Sequence, residues 1–243
     1  MDQQTKQALK HDQFIDTTQQ GLEWASENRH TVIVAGSILV ALLVIVIGSF
    51  VFYSNRTHAA SVAFGAAMQE YQTPLVEPGQ PVPPGVKTYT SVAARAKAAN
   101  QLFMAAADKY SMTPDGKTAR YFGGLTYIES GDNAAAESAL KQVANGWNSE
   151  LASLAKLSLA NLYRQTGRDA QAIDLYNELT AKPTTSVPPG LAQLQLAELY
   201  EAQNKPEDAK KIYARLKDKD GKSAVGMLAA QKLNPSPAST VQQ

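Results

Sequence analysis

AKLSLANLYRQTGRDAQAIDLYNELT, Ala155–Thr180, reads as a helix, a tight turn and a second helix. Ala160 stands three residues before Tyr163, Gly167 follows that tyrosine by four, and Ala172 precedes Tyr176 by four. Small residues at helical spacing let two antiparallel helices approach closely, and the tyrosines fill the space beside the contact. Gly167 falls where a helix end takes the left-handed backbone, which a residue without Cβ adopts at least cost.

The same arrangement occurs on either side. ARYFGGLTYIESGDNAAAESALKQVA starts at Ala119 and AQLQLAELYEAQNKPEDAKKIYARLK at Ala192, offsets of 36 and 37 residues. Gly124 with Tyr127 and Ala197 with Tyr200 repeat the first pair; Gly131 and Asn204 repeat the turn; Ala136 with Leu140 and Ala209 with Tyr213 repeat the second pair. Three copies in register resemble the tetratricopeptide repeat, whose usual period is about 34 residues. The resemblance implies an all-α solenoid. Arg120, Lys156 and Gln193 stand where that pattern favours tryptophan. Val92–Tyr110 reads as a flanking helix upstream, and Lys222–Leu233, with Val225, Leu228, Ala229 and Leu233, as a cap on the downstream end.

Further out the chain changes character. Thr73–Thr90 carries Pro74, Pro78, Pro81, Pro83 and Pro84, a composition of extended connections. Thr57–Gln72 is alanine-rich and reads as a helix, with Val62, Ala66, Ala67 and Tyr71 available to pack. Thr31–Tyr53, TVIVAGSILVALLVIVIGSFVFY, has no charged side chain. A helix of that length reaches roughly 35 Å, enough to cross a bilayer. It is longer than the apolar core of a signal peptide and begins later, so it reads as an uncleaved single-pass transmembrane helix. Arg29 and Arg56 nearly balance across it, and charge alone does not orient it. Residues 1–10 and 234–243 are polar or proline-containing and read as disordered. Asp12–Asn28 reads as an amphipathic helix, either a partner-binding or membrane-surface element or an extension of the span.

The net charge of +1 supplies no field for nucleic acid, and the absence of cysteine removes disulfides, thiolate metal sites and cysteine nucleophiles. The histidines are His11, His30 and His58, all outside the repeats. No glycine-rich phosphate loop follows a strand. No catalytic residue, cofactor, metal or small-molecule substrate is expected. The expected activity is recognition of protein.

In stacks that resemble tetratricopeptide repeats the first helix of each hairpin lines a concave face. Aligning the tyrosines assigns to it Tyr121, Phe122, Leu125 and Ile128; Leu154, Leu157, Asn161 and Arg164; and Leu191, Gln195, Glu198 and Glu201. Such a groove is apolar at its first repeat and polar or acidic at its third, a surface for a peptide or partner helix. Val92–Tyr110 or the proline-rich stretch is the alternative occupant of its apolar end.

Leu22, Trp24 and Asn28 ahead of one apolar span, an alanine-rich helix, three degenerate repeats and a short cap together resemble the YfgM-like family, ancillary subunits of the bacterial SecYEG translocon. The resemblance implies a bacterial inner-membrane protein with a cytoplasmic tail (1–30), a transmembrane helix (31–53), a juxtamembrane helix and linker (54–90), a periplasmic repeat domain (91–233) and a tail (234–243). It implies partners among translocon subunits, periplasmic chaperones and unfolded exported polypeptides. A tethered scaffold in envelope or outer-membrane assembly is the alternative role.

Overall fold

The computed structural model describes residues 24–77 and 84–234. The readings for residues 1–10, most of Asp12–Asn28, the centre of the proline-rich stretch and the C-terminal tail lie outside the described residues. Within them every named element is helical: α1 (Arg29–Tyr71), α2 (Val92–Lys109), α3 (Pro114–Ser130), α4 (Asn133–Ala144), α5 (Ser149–Gln165), α6 (Asp169–Ala181), α7 (Pro189–Ala202), α8 (Pro206–Asp220) and α9 (Ala224–Leu233). The chain divides into two compact units, residues 1–55 and 56–243.

The first unit is the N-terminal part of α1 with a short helical stretch before it, joined at Asn28, whose N–H donates to the Trp24 carbonyl at 2.9 Å. α1 is long and apolar enough to cross a membrane, and its most apolar window buries nothing within the protein. Side chains such as Val44 and Ile45 are exposed.

In the second unit, consecutive helices from α2 onward pack against one another, α3 also meets α5, and α9 returns onto α7. Start signals are local. Ser91, Thr113, Asp132, Asn148 and Ser223 each accept from a backbone N–H of the first helical turn, a cap worth about 1 kcal/mol. Pro114, Pro189 and Pro206 occupy first-turn positions where a missing N–H costs nothing. Gly131, Gly167 and Asn204 end α3, α5 and α7 with φ of 86°, 72° and 56°. All three stand at the position the repeat pattern reserves for the left-handed backbone.

The small residues named by the pattern are the contact points. Gly124, Ala160 and Ala197 on the first helices, and Ala136, Ala172 and Ala209 on the second, are buried. A Cβ on Gly124 would lie 2.7 Å from Leu140 Cγ and Cδ2, so α3 and α4 meet at van der Waals limit there. Leu140, Tyr176 and Tyr213 fill the spaces behind and are buried. One apolar core runs from Leu140 to Ala229 through all three hairpins. Arg120 and Lys156, at the positions that favour tryptophan, pair instead with Asp108 and Glu178, each at 2.7 Å.

Upstream, the C-terminal part of α1 belongs to the repeat unit. Ala60, Ala63, Phe64, Ala67, Met68 and Tyr71 face inward, and Phe64 and Tyr71 join Phe103 of α2 and Phe122 of α3 in an aromatic cluster. This corrects the packing face expected for Thr57–Gln72. Ala67 and Tyr71 pack, but Val62 and Ala66 are exposed, because the bulk of Phe64 and Met68 sets the buried stripe. Deeper in, the buried Asn100 amide donates to the Gly123 carbonyl (2.8 Å) and to Thr126 Oγ1 (3.0 Å), satisfying the polar groups where α2 crosses α3.

The proline-rich connection is closed at its base. Leu75 and Tyr89 form an isolated parallel bridge, with Val76 donating to Tyr89 (2.9 Å) and Tyr89 to Pro74 (3.0 Å). The Tyr89 hydroxyl and Lys87 both donate to Glu70 at the end of α1.

Candidate interaction surface

The twelve side chains assigned to the concave face come from the first helices of the hairpins, α3, α5 and α7, and separate into local groups. Phe122 stacks on Phe103 with ring centroids 5.4 Å apart and planes inclined by 20°, inside the aromatic cluster with Phe64 and Tyr71. α1 and α2 therefore pack over part of it. The Tyr71 hydroxyl donates to Glu129, and Arg95 lies 5.4 Å from the Tyr71 ring centroid and donates to the Thr73 carbonyl. Burial and the bond to Glu129 push the Tyr71 hydroxyl up to about 12, so it stays a protonated donor at any physiological pH.

Next to it, Tyr121 Oη approaches Ser158 Oγ of α5 at 3.4 Å, and Tyr121 and Ile128 lean on the main core while Leu125 is half-buried. Leu154, Leu157 and Leu191 come together from α5 and α7 over a small cluster of Leu179, Val187 and Ala192. They form a half-buried apolar patch. Val187 is held there because Glu150 receives the N–H groups of Thr185 (3.2 Å) and Ser186 (2.7 Å), and those bonds lower the Glu150 carboxyl below its ordinary range.

A polar group follows. Asn161 Oδ1 accepts from the Tyr176 hydroxyl at 2.7 Å, Arg164 stands 3.7 Å from Glu198, and Gln195 donates to the same carboxylate at 3.1 Å. Burial raises Tyr176 to about 12. Glu201 is exposed and bridges to Lys232 of α9 at 3.1 Å, apart from the others. Beneath, burial first and the neighbouring Glu201 second raise the Tyr213 hydroxyl above its ordinary value.

A family model described as a tetratricopeptide repeat-like domain matches residues 22–235. The chain belongs to this family. No curated protein and no solved structure matched it. Repeat-like domains of this kind mediate protein–protein interaction, and the match extends through the apolar part of α1 as well as the hairpins.

Sequence reasoning missed two features of this repeat-like domain. The aromatic cluster joins α1, α2 and α3; Phe64 and Tyr71, seven residues apart, were its available signal. The other is a tie between hairpins. Glu137 of α4 receives Arg168 (2.7 Å), Lys141 (2.7 Å) and the Tyr163 hydroxyl (3.0 Å), and Arg168 lies 4.2 Å from the Tyr163 ring centroid. Bonding to Arg168 first and Lys141 second lowers the Glu137 carboxyl to about 2. Lys205 sits over Tyr200 in the next repeat in the same way, at 5.8 Å.

Proposed function

We propose that this protein is a membrane-anchored, non-enzymatic protein-interaction module. The observation that carries the reading is α1 itself. Its apolar half finds no cover within the protein, while its other half is built into the core of a repeat-like domain. A helix shared in this way joins an interaction domain to an apolar segment of membrane-crossing length.

The order of elements supports a more specific role, that of an ancillary subunit of the SecYEG translocon in the bacterial inner membrane. On this reading the N-terminus is cytoplasmic, the repeats are periplasmic, and the domain passes exported polypeptides to periplasmic chaperones. The half-buried patch of Leu154, Leu157 and Leu191, beside the polar group of Arg164, Gln195 and Glu198, is suited to an extended or helical segment with apolar anchors and a charged flank. Phe122 is already engaged in the aromatic cluster.

Photo-crosslinking residues at Val44, within the apolar helix, and at Gln195, on the first helix of the third hairpin, test this in native membranes. The reading expects a translocon subunit crosslinked at Val44 and a chaperone or nascent exported chain at Gln195. Lipid alone at Val44, with an envelope-assembly protein at Gln195, contradicts the translocon role and favours the tethered scaffold.

A further inference from the structure

Trp147 is 99% exposed, the most exposed of the large apolar side chains in the described residues, and Met112 is 82% exposed. Both sit on turns between hairpins. Consecutive helices joined by short turns run antiparallel, so the turns α2–α3, α4–α5 and α6–α7 fall on one edge of the stack. Two cavities connect them: Ser111 and Trp147 line one of about 230 Å³, and Trp147, Lys182 and Pro183 line another of about 340 Å³.

Neither apolar side chain is there through laxity of the turn. Gly146 donates to the Val143 carbonyl at 2.9 Å, and Asn148 Oδ1 accepts from Glu150 and Leu151, so the four-residue turn is fixed at both ends with its indole outward. Thr113 Oγ1 donates to the Tyr110 carbonyl at 2.8 Å, and a Cβ on Gly116 would lie 1.9 Å from that same oxygen. The α2–α3 turn is equally closed. A rigid turn that displays an indole to water loses the hydrophobic gain of burying it, a loss that is recovered only against another surface.

The edge also carries lysines. Asp108 and Glu178 are paired with Arg120 and Lys156, and Asp115 and Glu150 stand in the first turns of α3 and α5, whereas Lys109, Lys117 and Lys182 have no ion-pair partner among the described residues. Most decisive is where the edge is fastened. Arg56 donates to the Lys109 carbonyl and lies 5.6 Å from the centroid of the Tyr110 ring. It follows Tyr53, the end of the apolar run, by only three residues, which extended span about 10 Å at most. The α2–α3 turn is thus within a short reach of the point where the apolar run ends. Headgroup layers add only about 5–8 Å to each side of the hydrocarbon.

The geometry points to this edge as a second membrane contact: it rests on the surface of the bilayer that α1 enters, with Trp147 and Met112 at headgroup depth and Lys109, Lys117 and Lys182 on anionic phospholipid. The contact rests on the reading of α1 as an anchor. Tryptophan at the interface and lysine against anionic headgroups are the side chains that such a surface favours.

The chain has two tryptophans, Trp24 and Trp147. The full chain carrying Trp24→Phe, reconstituted in vesicles of phosphatidylethanolamine and phosphatidylglycerol, makes Trp147 the sole indole emitter. A headgroup nitroxide lipid is expected to quench it and aqueous iodide to be largely excluded. Lys109→Glu, Lys117→Glu and Lys182→Glu together, or omission of phosphatidylglycerol, are expected to reverse that preference. Quenching by iodide and not by nitroxide overturns the contact, as does shielding from both, which assigns Trp147 to a second copy of the chain. The Trp147→Phe chain reports the anchor separately. Trp24 quenched by lipid while Trp147 is not leaves the anchor standing without the edge contact. Failure of the chain to float with the vesicles removes the anchor itself.

Discussion

Gly131, Gly167 and Asn204 occupy one repeat position, and only the last carries a Cβ into the left-handed region. Gly167→Ala is expected to destabilise the full chain by about 1 kcal/mol, whereas Asn204→Gly is tolerated or slightly stabilising; urea unfolding in detergent measures both. A second expectation concerns Glu137. Its carboxyl is held at about 2 against an ordinary 4.5, so the charged form stabilises the folded state. That contribution is complete above about pH 4.5 and is lost as pH falls toward 2. Glu137→Gln costs about 1 kcal/mol at neutral pH, and its stability falls less steeply over the acid range than that of the parent chain. Equal acid slopes for the two would contradict the tie between the first and second hairpins.

At the scale of elements, α3 and α4 meet through Gly124, and α1 meets α2 and α3 through rings. Gly124→Ala drives a Cβ against the fully buried Leu140 and is expected to cost 1–3 kcal/mol, about the usual penalty of overpacking. Phe103→Ala empties the centre of the aromatic cluster at a cost of about 3–5 kcal/mol. It should raise amide exchange in Ala60–Tyr71 more than in α7 and α8. The hairpins were legible because their small residues, tyrosines and turn residues recur at fixed offsets, and one copy checks another. The aromatic cluster was not. It occurs once, it joins residues as far apart as Phe64 and Phe122, and nothing repeats to reveal its register. For the same reason the packing of Phe122 into that cluster was not legible. Alignment of tyrosines identifies one face of each first helix, but whether Phe122 is open depends on α1 and α2, which lie outside the repeat. Val62 and Ala66 were misjudged because alanine marks a close approach without fixing which face makes it.

For the molecule as a whole, one helix carries two kinds of surface. Residues from Thr31 to Tyr53 expose apolar side chains throughout, while the same helix ends in Ala60, Phe64, Ala67 and Tyr71 packed in protein. The proposed anchoring makes the protein insoluble without lipid or detergent and expects its attachment to be lost when the first half is removed. Alkaline carbonate extraction of membranes from cells making the full chain, followed by protease treatment of intact spheroplasts, is the most direct test of a membrane-anchored interaction domain. The account predicts retention of the chain in the membrane pellet and cleavage of the repeat domain from outside the inner membrane. Release of the intact chain into the carbonate supernatant would contradict it.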